Sequence, residues 1–415
     1  MEKNDFNDID LDLNEIINDF SPNFETNSAT SGNEEDNYAE INPSEPVELE
    51  DIEDKPLPVR KKSKNKKTSA SVLTVFRRIC IFLIITGVLC VAGGLGVEYV
   101  LVKGPSPTLS QQFVLTMLET RRFGFLAGIF LTDEELAAAQ ATHYQEYDVS
   151  ADASLITIGG SESEYSDEAP LPGEEDDDVY RIVDEDGDGI VVDRIKRSGF
   201  EGYMMMVLDP TRVSVSTTRY LRSTGETLTS MCQRTDSIAG INAGGFDDEG
   251  GNGIGGYPLG LTAANGEYFN TGADPAYFVG FDSTGIMHMG YYTASDVYSL
   301  GITNGVTFGP TLVVNGQARS EAELASGLNP RTAIGQRADG VVLMLVIDGR
   351  QVQSLGATYA DVAEIMVEYG AVNAINLDGG SSSVMYFEDK VINSCSAGAG
   401  ERALPTAFLV SRESK

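Results

Sequence analysis

Residues 359–383 read YADVAEIMVEYGAVNAINLDGGSSS, and this stretch decides the fold class. Val362, Ile365, Met366 and Tyr369 share one face of a predicted helix. A short apolar strand follows, and Asp378-Gly379-Gly380-Ser381 then turns the chain. The same order occurs earlier. A helical pattern over 226–235 leads into IAGINAGGF, residues 238–246. Asn242 and Asn376 hold equivalent places, 134 positions apart. Two explanations fit the repeat: an internal pseudo-symmetry with both turns at one cleft, or ordinary strand–turn chemistry used twice.

Working outward, residues 202–208 and 211–217 read as strands joined by the turn Asp209-Pro210. Apolar runs at 311–314, 341–347 and 404–410 add three more. Strands outnumber helices and their order is irregular. The expected class is α+β, a mixed, largely antiparallel sheet with a few helices.

Composition excludes several chemistries. The 415 residues hold 63 acidic and 29 basic side chains, a net charge of -34, with two His, four Cys and no Trp. So few His disfavour a His-rich metal site or a Ser-His-Asp triad. No C-x-x-C pair suggests zinc. The acidic balance argues against nucleic acid as a partner. Chemistry must rest on Asp, Glu, Arg, Asn, Ser and backbone amides, and the pattern calls for no cofactor and no metal.

The charge is segmented. Residues 1–59 carry 18 acidic and two basic side chains, and residues 146–193 carry 17 acidic side chains and Arg181 alone. Residues 60–145 are basic, and the rest of the chain nets only -8. The first segment is too polar to bury a core, so residues 1–70 read as a disordered acidic tail with a basic end. Nothing names its partner. Residues 79–97 are uncharged and mostly apolar, and with 99–102 they are long enough to cross a bilayer. Eight Lys/Arg precede them and Lys103 alone follows at once. The positive-inside rule therefore predicts a signal-anchor helix over 71–103, a cytoplasmic N-terminus and an extracellular remainder.

Beyond the membrane, residues 104–190 read as a helical and acidic stalk, and 191–415 as the folded domain. Pro105 and Pro107 interrupt the chain, with Thr108 as the expected helix cap. Thr132 and Glu135 have capping-box spacing before a second helix at 133–141. Asp184, Asp186, Asp188 and Gly189 resemble the start of an EF-hand loop, but Ile195 stands where a bidentate carboxylate is required, so a solvated turn is the reading. Cys80 and Cys90 lie in the membrane helix, and spacing leaves the pairing of Cys232 with Cys395 open.

The chemistry-bearing residues gather at predicted strand ends. Asp378 ends a strand, Gly379 and Gly380 admit a ligand to the backbone, and Ser381 adds a hydroxyl. Asn242 and Asn376 precede the paired glycines Gly244-Gly245 and Gly379-Gly380. Arg331-Thr332 opens a strand, Asp348-Gly349-Arg350 follows another, and Glu401-Arg402 precedes the last. Each has a plain structural reading as a turn or a surface ion pair. Their convergence, carboxylates beside Arg forks, suggests an anion site.

The ordered blocks INAGGF (241–246), FGPTLVVNG (308–316), NPRTAIG (329–335), VIDGR (346–350), NLDGGSSS (376–383) and ERALPTAF (401–408) resemble the phosphodiester glycosidase family over about 192–411. The layout resembles a bacterial, membrane-anchored member. The resemblance implies removal of a sugar joined through its anomeric oxygen to a phosphodiester, in a surface glycan, exopolysaccharide or cell-wall polymer. In that chemistry Asp378 stabilises or attacks the oxocarbenium-like centre and Glu401 handles a proton or water. Arg331, Arg350 and Arg402 clamp phosphate, and Asn242 and Asn376 bind hydroxyls. With no Trp, Phe246 or Tyr257 would stack on the sugar. A non-catalytic polymer-binding module and a metal-dependent phosphodiesterase are the alternatives.

Overall fold

Strand β2 (Phe200–Val207) shows how the sequence builds its layers. Met205 and Val207 point into one apolar cluster, while Met204 and Met206 point into another. β13 (Val342–Ile347) divides the same way, with Val342, Met344 and Val346 on one side and Leu343, Leu345 and Ile347 on the other. A strand covered on both faces needs no polar alternation, which explains the continuous apolar runs.

The computed structural model describes residues 67–120, 124–142, 149, 151–158, 183–248, 253–271, 274–396 and 400–412. The acidic tail, the basic run 60–66 and residues 159–182 of the acidic stretch lie outside the described residues. The chain divides into two units, Met1–Leu73 and Thr74–Lys415. The second holds the fold.

Three sheets share a core, and every strand pairing among the described residues is antiparallel. The largest runs β1 (Ile190–Arg197), β2, β13, β12 (Arg331–Arg337), β14 (Ala371–Leu377), β10 (Thr311–Val314), β11 (Gln317–Ala318). A second runs β16 (Lys390–Val391), β15 (Met385–Phe387), β4 (Ser237–Asn242), β17 (Thr406–Ser411), β3 (Val213–Thr217). The third runs β6 (Glu267–Phe269), β5 (Thr262–Ala264), β9 (Ile302–Thr307), β7 (Ala276–Asp282), β8 (Met287–Tyr292). The expected α+β class is found, with three sheets in place of one.

Each sheet also carries a helix. α7 (Tyr359–Glu368) covers the largest sheet through Val362, Ile365 and Met366. α5 (Leu228–Thr235) covers the second through Leu228, Met231 and Cys232. α6 (Ala294–Ser299) covers the third through Val297. The repeated helix–strand pattern thus lies in two different sheets, and its two strands, β4 and β14, are interior in both.

The N-terminal part begins with α1 (Lys67–Lys103), of which Leu73–Lys103 is long and apolar enough to cross a membrane. Three short helices follow: α2 (Pro107–Glu119), α3 (Gly124–Phe130) and α4 (Asp133–Thr142). The α2 cap is Ser106 rather than Thr108, because Pro107 fits the first helical position, where no N–H is needed. The α4 capping box forms as expected: Thr132 Oγ1 accepts from Glu135 N at 3.2 Å, and Thr132 N donates to Glu135 Oε2 at 2.9 Å. Residues before 191 also join the core. Ile156 is buried there, and Thr157 N donates to Ala338 O.

Candidate active site

The two glycine-rich turns meet. Asp378 N donates to Ala243 O at 3.0 Å, and Asn242 Nδ2 donates to Asp378 O. Asn242 is fully buried, and its Oδ1 accepts from Thr332 Oγ1 at 2.8 Å and Val384 N at 3.1 Å. Asn242 and Thr332 therefore fix the position of the Asp378 turn rather than facing a ligand. Gly244 N is held by Thr406 Oγ1, and a side chain at Gly245 would strike the Phe308 ring.

On the other side, Gly380 N donates to Pro330 O at 2.8 Å. Gly380 sits at φ 61°, and a Cβ there would lie 3.1 Å from Arg350 Nη2. The Asp378-Gly379-Gly380 turn thus lies directly against the Arg350 fork, and only glycine suits both the dihedral and the space.

Three arginines converge, with different commitments. Arg331 is buried, donates to Glu119 Oε2 at 2.8 Å and to the carbonyls of Gly327 and Ala357, and lies 4.0 Å from the Tyr359 ring centroid. Burial pulls its pKa down, but Glu119 and Tyr359 outweigh that and raise it. Arg402 pairs with Asp248, donates to Ser381 Oγ at 3.0 Å and lies 4.6 Å from the Phe246 centroid. Arg350 differs. It is exposed, its backbone is left-handed at φ 59°, and among the described residues it donates to Asn329 Oδ1 and, at 3.5 Å, Thr120 Oγ1. Among the described residues no carboxylate pairs with it. Desolvation, then the charges of Arg331 and Arg402, lower its pKa. Of the three, it is the one whose fork is not committed to a carboxylate among the described residues.

Other expected site residues act as supports. Asp348 is buried and accepts from Asn393 Nδ2 and Ser394 N, while burial pushes its carboxyl pKa up. Asn376 Nδ2 donates to Gly309 O at 2.9 Å, and its buried Oδ1 has no partner among the described residues. Sequence reasoning put Glu401 at proton transfer. Here both its oxygens are taken by Thr229, through N at 2.9 Å and Oγ1 at 2.6 Å, in the first turn of α5. An anion there is favoured by the free amides of the helix start, so Glu401 ties the Arg402 segment to α5. Phe246 is buried beneath Arg402 and is not available for stacking. Aromatic surface appears elsewhere: a hollow of about 320 Å³ beside Gly245 is lined by Tyr277, Tyr291, Phe308 and Gly309. Tyr257 lines a neighbouring hollow of about 490 Å³, and Leu259 borders both.

Residues 235–411 match the phosphodiester glycosidase family. The matched residues include both turns, Arg350 and Arg402. The SPbeta prophage-derived uncharacterized protein YomE of Bacillus subtilis (strain 168) is 32% identical over 215 residues, which are 49% of this chain. This chain spans 32% of that relative's length. Zebrafish N-acetylglucosamine-1-phosphodiester alpha-N-acetylglucosaminidase, as its catalytic domain auto-inhibited by pro-peptide, is 20% identical with a TM-score of 0.45. That likeness covers 54% of this chain and 82% of the other. A protein of Burkholderia pseudomallei K96243 is 17% identical over 51% of this chain and 74% of its own, with a TM-score of 0.40.

Outside the domain, Glu119 was missed. It is the last residue of α2, yet it accepts from Gly327 N, Asn329 Nδ2 and Arg331. A carboxylate at a helix C-terminus opposes the helix dipole, and that was the available signal that it had a partner elsewhere. Asp184, Asp186 and Asp188 do cluster, within 4.8 Å of one another, and Asp184 accepts from Gly187 N and Gly189 N as a turn residue does. Cys232 and Cys395 are free thiols; burial pushes both up, Cys395 to about 11.

Proposed function

We propose that this chain hydrolyses the bond between a sugar's anomeric carbon and a phosphodiester oxygen in a surface glycan. The observation that carries the reading is Arg350, an accessible guanidinium without a carboxylate partner among the described residues, set against the Asp378-Gly379-Gly380 turn. A phosphodiester is an anion that a planar fork binds well. A carboxylate two residues from the Gly380 amide suits the positive charge that develops at the sugar carbon. The match of residues 235–411 to the family supports the same chemistry.

In this reading Arg350 and the Ser381 side of the turn hold the phosphate, and Asp378 stabilises the oxocarbenium-like centre. The C–O electron pair leaves with the phosphate oxygen, water supplies the hydroxyl to the sugar, and its proton goes to solvent. Phosphate leaves readily, so a strong general acid is not needed, which fits a chain with two His. Asn242, Thr332, Asp348, Arg331, Glu401 and Arg402 hold the two turns in register. The hollow lined by Tyr277 and Phe308 takes the sugar. With the basic run 60–78 cytoplasmic, the domain acts outside the cell.

The test is hydrolysis of a sugar-1-phosphodiester in oxygen-18 water. The label should appear on the sugar, and Asp378→Asn should lower kcat roughly 10²–10³-fold, the range for losing one group that stabilises transition-state charge. Label on phosphate, or unchanged turnover by the variant, would sink the assignment.

A further inference from the structure

The helices between the membrane and the domain connect both. At one end they grip α1. Ser110 Oγ donates to Val102 O, Lys103 pairs with Glu135, and Tyr99 meets Phe130 edge to face with centroids 5.6 Å apart. Val102 forms an apolar cluster with Val114 and Ala127. Glu98 and Val102, one turn apart, are buried, whereas most of the candidate span is exposed. At the other end α2 reaches the cleft. Thr116 Oγ1 accepts from Leu328 N, Glu119 holds Gly327, Asn329 and Arg331, and Thr120 Oγ1 accepts from Arg350. The backbones are also close: a Cβ on Gly327 would lie 2.2 Å from Thr116 N.

The exposed surface of this connection includes apolar side chains, beside the exposed acids Asp133, Glu134 and Glu135 of α4. Phe125 is 69% exposed and Ile129 45% exposed, four residues apart on one face of α3. Leu109, in the first turn of α2, is 50% exposed. In a water-facing stalk these positions would be polar. Here they lie on helices packed against the end of α1, whose own side chains are largely exposed and apolar.

We propose that α2–α4 is a membrane dock. It seats Phe125, Ile129 and Leu109 among the lipid head groups beside α1, and so holds the Arg350–Gly380 cleft close to the bilayer. Thirteen residues of α2, at about 1.5 Å per residue, put the cleft about 20 Å from the end of the membrane span. Its substrate class is therefore a sugar phosphodiester still carried by a membrane lipid. Hydrolysis releases the sugar and leaves the lipid phosphate in the membrane. The dock stands on the helix contacts; the substrate class rests on the glycosidase reading above.

The chain has no Trp, so Phe125→Trp in the full-length protein is a single fluorescent reporter. In phosphatidylcholine–phosphatidylglycerol vesicles its emission should be blue-shifted, quenched by acyl-chain-brominated lipid and little quenched by iodide. Strong iodide quenching without brominated-lipid quenching would overturn the dock. In the same vesicles, Phe125→Asp with Ile129→Asp should slow hydrolysis of a prenyl-phosphate-linked sugar by about tenfold or more, because the cleft loses its fixed approach. A water-soluble alkyl phosphodiester of the same sugar should be hydrolysed at the original rate. Equal loss on both substrates would overturn the membrane role and indicate a damaged cleft. If the unaltered chain hydrolyses neither, the substrate class and the glycosidase reading both fall, while the reporter still decides the dock.

Discussion

Glu119, the last residue of α2, and Arg331, the first residue of β12, form an ion pair at 2.8 Å across 212 positions of the chain. The Arg331 side chain is 5% exposed and that of Glu119 14%. A buried guanidinium without its counter-charge is strongly unfavourable. Glu119→Ala should therefore lower the unfolding free energy by about 3–5 kcal/mol, the usual result of breaking a buried pair from one side. Glu119→Gln keeps an acceptor and should cost less. Urea unfolding of the full chain in detergent, followed by circular dichroism, measures both, and an unmoved midpoint would show that the pair is not structural.

Ile156 tests how far the folded domain extends toward the N-terminus. It lies 35 positions before residue 191 yet is 3% exposed in the shared core. Ile156→Ala should lower stability by about 2–5 kcal/mol, as for other large-to-small core changes. A loss within about 0.5 kcal/mol, typical of surface positions, would make this segment peripheral.

Much of this fold was legible in the chain. The helical faces of α5 and α7, the buried runs of β2 and β13 and the Asp378 turn follow from periodicity and glycine placement. The repeat around Asn242 and Asn376 pointed to two turns, and these are hydrogen-bonded to each other. Charge commitment was not legible. Arg331, Arg350 and Arg402 look alike in sequence, and only tertiary contacts give Glu119 to the first, Asp248 to the third and, among the described residues, no carboxylate to the second. Glu401 was assigned by its neighbours in a motif, whereas its actual task depends on Thr229, distant in the chain. Division into three sheets was hidden for a similar reason, since strand patterns do not state which strands pair.

Glu226 makes acid stability predictable. Burial pushes its carboxyl pKa up, but hydrogen bonds from Arg219, Ser230 and Arg234 outweigh this and hold it at about 2, against an ordinary 4.5. The folded pKa is the lower one, so the stabilisation is complete above 4.5 and is lost as pH falls from there toward 2. The total is of the order of 3 kcal/mol at about 1.4 kcal/mol per pH unit. Glu226→Gln should lower stability at neutral pH and flatten the profile over that acid window. A variant profile that falls as steeply as the original would assign acid sensitivity to other carboxylates.

Arg350 offers the sharpest test of where the anion sits. Its guanidinium touches Asn329 Oδ1 and Thr120 Oγ1, and a Gly380 side chain would crowd it. Removing it breaks no ion pair among the described residues, so Arg350→Ala should unfold near the original midpoint. Arg402→Ala, in contrast, removes the ion pair with Asp248 and uncovers Phe246, and should destabilise. If Arg350 holds phosphate, Arg350→Ala raises KM for a sugar phosphodiester by about tenfold or more and weakens inhibition by inorganic phosphate alike. Arg350→Lys keeps the charge but not the planar fork, so it should recover only part of the loss. An Arg350→Ala protein with original KM and phosphate inhibition would move the anion seat away from Gly380. Asp378 would then lose the neighbour that makes it a credible catalytic carboxylate.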